Sequence, residues 1–319
     1  MVMLLHKEIN EKNMKLSKLL NIVIVMSLFL FSACSTEEED PQVSSDLVFH
    51  LQIDGEHDSR ATVDGSWTVG DIIAVQVGTT VKKYIVKDES GKAEGLDKAN
   101  TFNWDDLGSS SVTVKAWSYG GKDIIDDPSV ATITLQEDQS DDTNYYGCDL
   151  LYAPEVTVNM DEPAVLTFYH QMTLVRINLR VEDTNITGTP KVLFGGDYGL
   201  PEGTAFYSAP SNGANPNYGS FAKNEQIETM INITPHQDDW PPQGYDYCYS
   251  AFFLPLEQPN LEISVDMNDG NMFYYFWDNA NQNPFQAGSR ITLNLTIKNK
   301  QLSLPSNESM PVTVADWNV

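Results

Sequence analysis

His57, Asp58 and Ser59 stand consecutively, and they are the three residue types of a hydrolytic triad. A triad works only when nucleophile, base and orienting carboxylate converge from separately held positions. Three neighbours in one polar segment do this poorly. His50 and His170 fall inside strand-like alternation and read as satisfied sheet residues. The chain has 5 histidines and no HExxH pairing, so a zinc hydrolase has no ligand set. Its 45 acidic residues make chance carboxylate pairs abundant, and none of them marks a glycosidase. The acidic stretches 123–127 and 137–142 lack the EF-hand spacing and read as solvated loops. The sequence therefore predicts no enzyme, no metal and no cofactor. The chemistry it offers is done to the chain, at a cysteine near the N-terminus and at an arginine after the first strand.

Met14 opens MKLSKLLNIVIVMSLFLFSAC, with Lys15 and Lys18 as a basic start, an apolar run from Leu19 to Phe31, and Ser32-Ala33 before Cys34. This is the pattern of a signal peptide over residues 1–33, with Met14 as the expected true start. The apolar run is short for a membrane-spanning helix. Cleavage before Cys34 frees its thiol and a new amine for acylation, and several acyl chains on one residue give the firm anchorage that one chain lacks. The small residues before Cys34 resemble the lipobox of bacterial lipoproteins, with Phe31 where Leu is more usual. Residues 34–45 then read as a lipidated acidic linker, because Glu37-Glu38-Glu39-Asp40 is a solvated charge run. That run also resembles the acidic export signal of surface lipoproteins in Bacteroidota. The expectation is a lipid on Cys34 and a place on the outer face of the outer membrane.

Downstream, Leu47, Phe49, Leu51 and Ile53 alternate with Val48, His50, Gln52 and Asp54, the period of a half-buried strand. The polar segment Gly55-Glu56-His57-Asp58-Ser59 follows and ends on Arg60. Arg60 is the expected cut site for an Arg-specific protease, with Ala61 as the new N-terminus. Buried together, the four apolar side chains contribute ~1.5–3 kcal/mol each. Their sum is comparable with the roughly 5–15 kcal/mol net stability of a whole domain. If the strand leaves after a cut, it opens a groove with unpaired edges, which another extended segment would fill by strand addition.

The rest of the chain is strand and turn. IIAVQV at 72–77, VKKYIV at 81–86, VTVKAW at 112–117 and VATITL at 130–135 alternate in the same way, with Gly at the turns. LTFYHQMTLVRINLRV at 166–181 reads as a strand pair or one bent strand. Further strands are expected at 231–234, 245–254, 261–267, 272–277 and 291–297. The span 194–223, rich in Gly, Pro, Asn and Ser, reads as a long loop. Many short strands at regular spacing predict an all-β fold of sandwich type. The MDEP turn near 160 suggests a boundary, giving sandwiches at 46–160 and 161–319. Cys148 and Cys248 read as buried, unpaired thiols, although a bridge outside the cytoplasm stays open. A net charge of -26 makes nucleic acid or an anionic membrane surface a poor partner, and no nucleic acid is expected. The aromatic stretches YDYCYSAFF and NMFYYFWDN fit either core strands or a sugar-binding platform.

Several motifs taken in order resemble the fimbrillin family, the pilins and pilus-associated lipoproteins of Bacteroidota. They are Ser59-Arg60-Ala61, WTVGDIIAV at 67–75, DLLYA at 149–153, FYHQMTLVRINL at 168–179, FQAGSRITLNLTI at 285–297 and VADW at 314–317. The resemblance implies two tandem β-sandwich domains of transthyretin-like or Greek-key type and export as a lipoprotein. It also implies removal of the N-terminal segment through the first strand, by a cut after Arg60. The exchanged strand would be Leu47, Phe49, Leu51 and Ile53. The donor would be the C-terminal stretch 302–319, with Leu302, Leu304, Val312, Val314 and Trp317 as its apolar residues. The expected partners are other pilin subunits, in a homo- or heteropolymer, the outer membrane through Cys34 before processing, and host or bacterial surface ligands. The expected function is a shaft or tip subunit of a fimbria that supports adhesion. Two readings compete with it: a pilus anchor that keeps its lipid and first strand, and a surface glycan-binding lipoprotein that never polymerises.

Overall fold

The computed structural model describes residues 45–54, 66–196, 201–211, 216–225, 230–258, 260–278, 284–305 and 312–316. Strand accounts for 51% and helix for 5%, so the chain is all-β as its alternation predicts. In chain order the strands are β1 (Phe49–Ile53), β2 (Ile72–Val77), β3 (Thr80–Val86), β4 (Lys92–Gly95), β5 (Ser111–Tyr119), β6 (Thr132–Thr134), β7 (Leu150–Asn159), β8 (Ala164–His170), β9 (Thr173–Val181) and β10 (Lys191–Phe194). There follow β11 (Thr204–Ser208), β12 (Ser220–Lys223), β13 (His236–Asp238), β14 (Tyr247–Phe253), β15 (Asn260–Asp266), β16 (Met272–Asp278), β17 (Ser289–Lys298), β18 (Gln301–Ser303) and β19 (Val312–Asp316). Among the described residues a 3-10 turn (Lys98–Asn100) and two single-turn α-helices interrupt them, α1 (Trp104–Leu107) and α2 (Asp142–Tyr146). Each is started by a side-chain cap, Asn103 accepting from the Asp105 amide and Asp141 from that of Asn144.

Seven strands make one closed sheet in the order β1-β4-β3-β2-β5-β7-β8. Closure depends on β1, which runs antiparallel to β4 and parallel to β8. A register shift between Val114 and Ala116 in the β5–β7 pair bends that part of the sheet. Inside lie Tyr84, Val86, Val114, Ala116, Leu166 and Phe168, all fully buried. A second core lies between the sheet β13-β14-β9-β17-β18 and the smaller sheet β10-β15-β16. Here β9 and β17 pair in parallel over eight positions, and β19 also pairs with β17.

The turn at Met160–Pro163 joins β7 to β8, which are neighbours in the closed sheet. The expected boundary at 160/161 coincides with that turn, and the chain passes from the first core to the second between His170 and Thr173. The run 166–181 is thus divided, β8 serving one core and β9 the other. The span 194–223, expected as a loop, contains β11 and β12. These two strands form a small sheet with β6, which comes from the first half of the chain. Residues 231–234 make only bridges, and the strand beside them is β13.

The excursion between β5 and β7 welds the halves together. The side chain of Gln139, fully buried, accepts from the Phe252 amide at 2.8 Å and donates to the Phe252 carbonyl at 3.1 Å. It thereby takes the place of a strand neighbour for β14. Tyr145 of α2 packs against Phe252 at 4.9 Å and hydrogen-bonds Ser250 at 2.8 Å.

Candidate strand-exchange site

The alternation in β1 is expressed fully. Leu47, Phe49, Leu51 and Ile53 are 2, 0, 3 and 7% exposed, while His50 and Gln52 face solvent. Phe49 meets the ring of Tyr84 edge-on at 5.1 Å, and Tyr84 stacks on Phe102 at 6.3 Å. The Tyr84 hydroxyl accepts from the Phe102 amide, and burial raises its pKa well above the usual tyrosine value. A neutral, positioned phenol therefore forms part of the wall against which β1 rests. On the other side Trp67 packs edge-on against Phe168 at 4.9 Å.

Main-chain bonds hold β1 along both edges and at both ends. It pairs with β8 over five positions, and the Leu51 amide donates to the Gly91 carbonyl. The Leu47 amide donates to the Phe102 carbonyl, and that of Asp54 to Phe168. Ahead of the strand, Asn103 donates to Ser45 and Asp46. Gly91 has a specific reason to be glycine. Its φ is +77°, and a Cβ there would stand 2.4 Å from the Leu51 carbonyl oxygen. Nothing in the sequence signals this close approach beyond a Gly in a turn. With β1 gone, β4 and β8 would become facing edges of an open sheet, and the apolar wall between them would meet water.

The C-terminal residues expected as a donor fall into two environments. Leu302, on β18, is 7% exposed and belongs to the second core, with Leu304 packed beside it. The β17–β18 turn is tight: Asn299 and Lys300 both have positive φ, and the Asp183 carboxylate accepts from both of their amides. By contrast β19 lies at an edge, paired with β17 from Ser289 to Leu293. Val312 is half-buried and Val314 is 49% exposed. A shallow cavity of about 520 Å³ opens beside Val314 and Ala315, lined also by Tyr218, Phe221 and Phe285. Cys34, Arg60, Ala61 and Trp317 lie outside the described residues, as do His57, Asp58 and Ser59.

Elsewhere, polar chemistry is inward and structural. His170 is buried and meets Asp149 at 3.0 Å. Cys148 and Cys248 are buried and not joined in a disulfide, and burial pushes the Cys148 thiol up to about 11. A network that sequence reading missed joins α2 to β13 and β14. His236 Nε2 lies 3.0 Å from Asp142 and Nδ1 lies 3.4 Å from Asp238, and its ring stacks on Tyr145 at 4.7 Å. Asp238 also accepts from Cys248 and Ser250. These residues lie between 91 and 108 positions from Tyr145 and Asp142 in the chain, so no local pattern could have disclosed them. The stretch YCYSAFF in β14 is a core strand, with Tyr249, Phe252 and Phe253 buried, and it offers no platform.

Comparison with known proteins gives the same outline. A family model described as fimbrillin-like matches residues 59–317. No curated protein sequence matches the chain. Among solved structures, a candidate cell adhesion protein from Bacteroides uniformis superposes with a TM-score of 0.60 at 19% identity, covering 86% of this chain and 99% of that one. A second, from Bacteroides ovatus, gives 0.56 at 17% identity over 85% of this chain and 96% of the other. At these identities the likeness is one of fold.

Proposed function

The chain belongs to the fimbrillin-like family, and from that premise we propose that it is a structural subunit, shaft or tip, of a cell-surface fimbria that supports adhesion. It is exported as a lipoprotein on Cys34 and polymerises by strand exchange after a cut following Arg60. One observation carries this reading: the strand immediately before Arg60 closes the first sheet, buried on its apolar face and bonded along both edges. A cut there ends the covalent hold on β1 while leaving every other strand of the closed sheet in the chain. The vacated groove between β4 and β8 then takes a strand from the next subunit, by main-chain pairing and alternate side-chain pockets. The donor is the C-terminal stretch, and β19 is the part of it that can leave at small cost.

The observed state, with β1 seated, is also the state in which a pilus anchor would persist on its lipid. N-terminal sequencing of protein recovered from the cell surface separates the two. A subunit begins at Ala61; an anchor retains Cys34 and β1. Arg60→Ala should yield an uncut, folded, monomeric lipoprotein that incorporates labelled palmitate, and Cys34→Ala should not incorporate it. Ordinary polymers from Arg60→Ala would refute both the cut site and the groove.

A further inference from the structure

β1 runs in the less favourable direction along its longer partner. Its ladder with β8 covers five positions, from Phe49 beside Ala164 to Ile53 beside Phe168, and is parallel. The antiparallel ladder with β4 covers only Phe49 and His50, with one further bond from Leu51 to Gly91. Parallel pairing is slightly less stable per residue than antiparallel pairing. A strand lying in the same groove but reversed would make the long ladder antiparallel and the short one parallel.

The wall of the groove carries a second mismatch. Trp67 is 7% exposed and rests edge-on against Phe168, the β8 residue in register with Ile53. Its indole Nε1 is buried and meets no hydrogen-bond partner among the described residues. A buried donor without an acceptor is a standing cost. The side chains that β1 turns inward, Leu47, Phe49, Leu51 and Ile53, are all hydrocarbon, so none of them can accept from it.

The C-terminal tail answers both mismatches. Residues 312–319, VTVADWNV, offer two alternating faces when extended. One face carries Asp316, a charge that an apolar groove excludes. The other carries Thr313, Ala315, Trp317 and Val319. Its one aromatic matches the one aromatic place in the groove, that of Phe49 against Tyr84. With Trp317 there, a tail running as β1 does ends at the place of Leu51 and leaves that of Ile53 empty. Reversed, it sets Val319 at Leu47, Ala315 at Leu51 and Thr313 at Ile53, so that all four places are taken.

Building on the strand exchange proposed above, we propose that the groove takes the tail of a second copy in the direction opposite to β1, antiparallel to β8. Thr313 is then the residue that Trp67 selects, its hydroxyl accepting from the indole N–H. Ala315 is shorter than Leu51, a loss set against the improved ladder and the new hydrogen bond. The uncut chain holds a parallel ladder and an orphan donor, and exchange removes both.

Cysteine pairs between cut subunits read the direction. In the reversed tail Val314 takes the place of Gln52, beside Thr167 of β8. Running as β1 does, it takes the place of Asp46, beside Asn103. Cut subunits carrying Val314→Cys, mixed with tagged subunits carrying Thr167→Cys, should form disulfide-linked pairs on non-reducing gels; tagged Asn103→Cys subunits should not. Polymers linked through Asn103→Cys, or through neither position, overturn the inference and leave strand exchange standing. A cut wild type that forms no polymer overturns both. Thr313→Val should speed the loss of subunits from diluted polymers about fivefold, and Thr313→Ser, which keeps the hydroxyl, should not. With Trp67→Phe in the accepting subunit, Thr313→Val should have no further effect. The same fivefold change with and without the indole would strike Trp67 from the recognition. Equal melting temperatures of the uncut Thr313 variants exclude misfolding as the cause.

Discussion

At the scale of single residues, the His236 network has a pH signature. Its hydrogen bond to Asp238, and then that to Asp142, raise the histidine's pKa above its usual value against the opposing effect of burial. Burial alone would raise the Asp238 carboxyl, but hydrogen bonds from His236, Cys248 and Ser250 and the charge of Arg176 hold it below the ordinary value of 3.8. A raised histidine contributes stability that is fully present below its unfolded value of 6.5 and is lost as pH rises through the folded value. A lowered carboxyl contributes stability present above 3.8 and lost as pH falls through its folded value. The contact between α2 and the second core is therefore strongest from about pH 4 to about pH 6.5. His236→Gln should lower the melting temperature more at about pH 5.5 than at about pH 8.5, as read by thermal scans of both proteins at each pH. An equal loss at the two values would mean that the proton plays no part. None of this was legible in the sequence, because it rests on residues brought together from distant parts of the chain. What the sequence does offer are the expectations at Arg60 and Cys34, which rest on the residues directly beside them and lie outside the described residues.

At the scale of elements, strand alternation carried most of the information. β1, β2, β5, β8 and β9 lie where their apolar residues predict, because period two is a local property. In the small sheet β6-β11-β12, β6 lies within the strand expected at 130–135, but β11 and β12 were hidden for the opposite reason. Its strands are short, β12 is mostly exposed, and Gly and Pro between them read as loop. The two elements to which the proposal assigns assembly differ in how firmly they are held. Phe49 is fully buried, and Phe49→Ala in the uncut chain removes its side chain from a packed wall at a cost of roughly 3–5 kcal/mol. Among the described residues β19 pairs with one strand, β17, and leaves Val314 half exposed, so deleting 312–319 should cost only about 1–2 kcal/mol. For a domain of this size each kcal/mol moves the melting temperature by roughly 2–4 °C. The deletion should therefore lower it by less than Phe49→Ala does, yet abolish polymerisation of the cut protein. A truncated monomer melting well below the Phe49 variant would assign β19 to its own core and remove it as the donor.

At the scale of the molecule, the closed sheet of the first half and the polymer proposed for it are alternatives built on the same groove. Only one strand can occupy the space between β4 and β8. Polymerisation then requires β1 to leave, and holding β1 in place must prevent it whatever the protease does. The register supplies a way to hold it. His50 and Lys92 face each other across β1 and β4, with both side chains outward. The flanking pair Leu51 and Gly91 carries a main-chain hydrogen bond, so the His50–Lys92 pair is of the non-bonded type. Such pairs have Cα atoms about 4.5 Å apart, within the range a disulfide spans. Of the three native cysteines, Cys148 and Cys248 are buried, and a chain that begins after Cys34 removes the third from competition. A variant carrying His50→Cys and Lys92→Cys, oxidised and then treated with an Arg-specific protease, should be cut after Arg60 and remain a single particle by light scattering, its N-terminal fragment attached through sulfur. Adding a reductant should release the fragment and start polymerisation at the rate of the cut wild type. Polymers forming under oxidising conditions, with the disulfide intact, would show that subunits join without vacating the groove, and strand exchange at β1 would have to be abandoned.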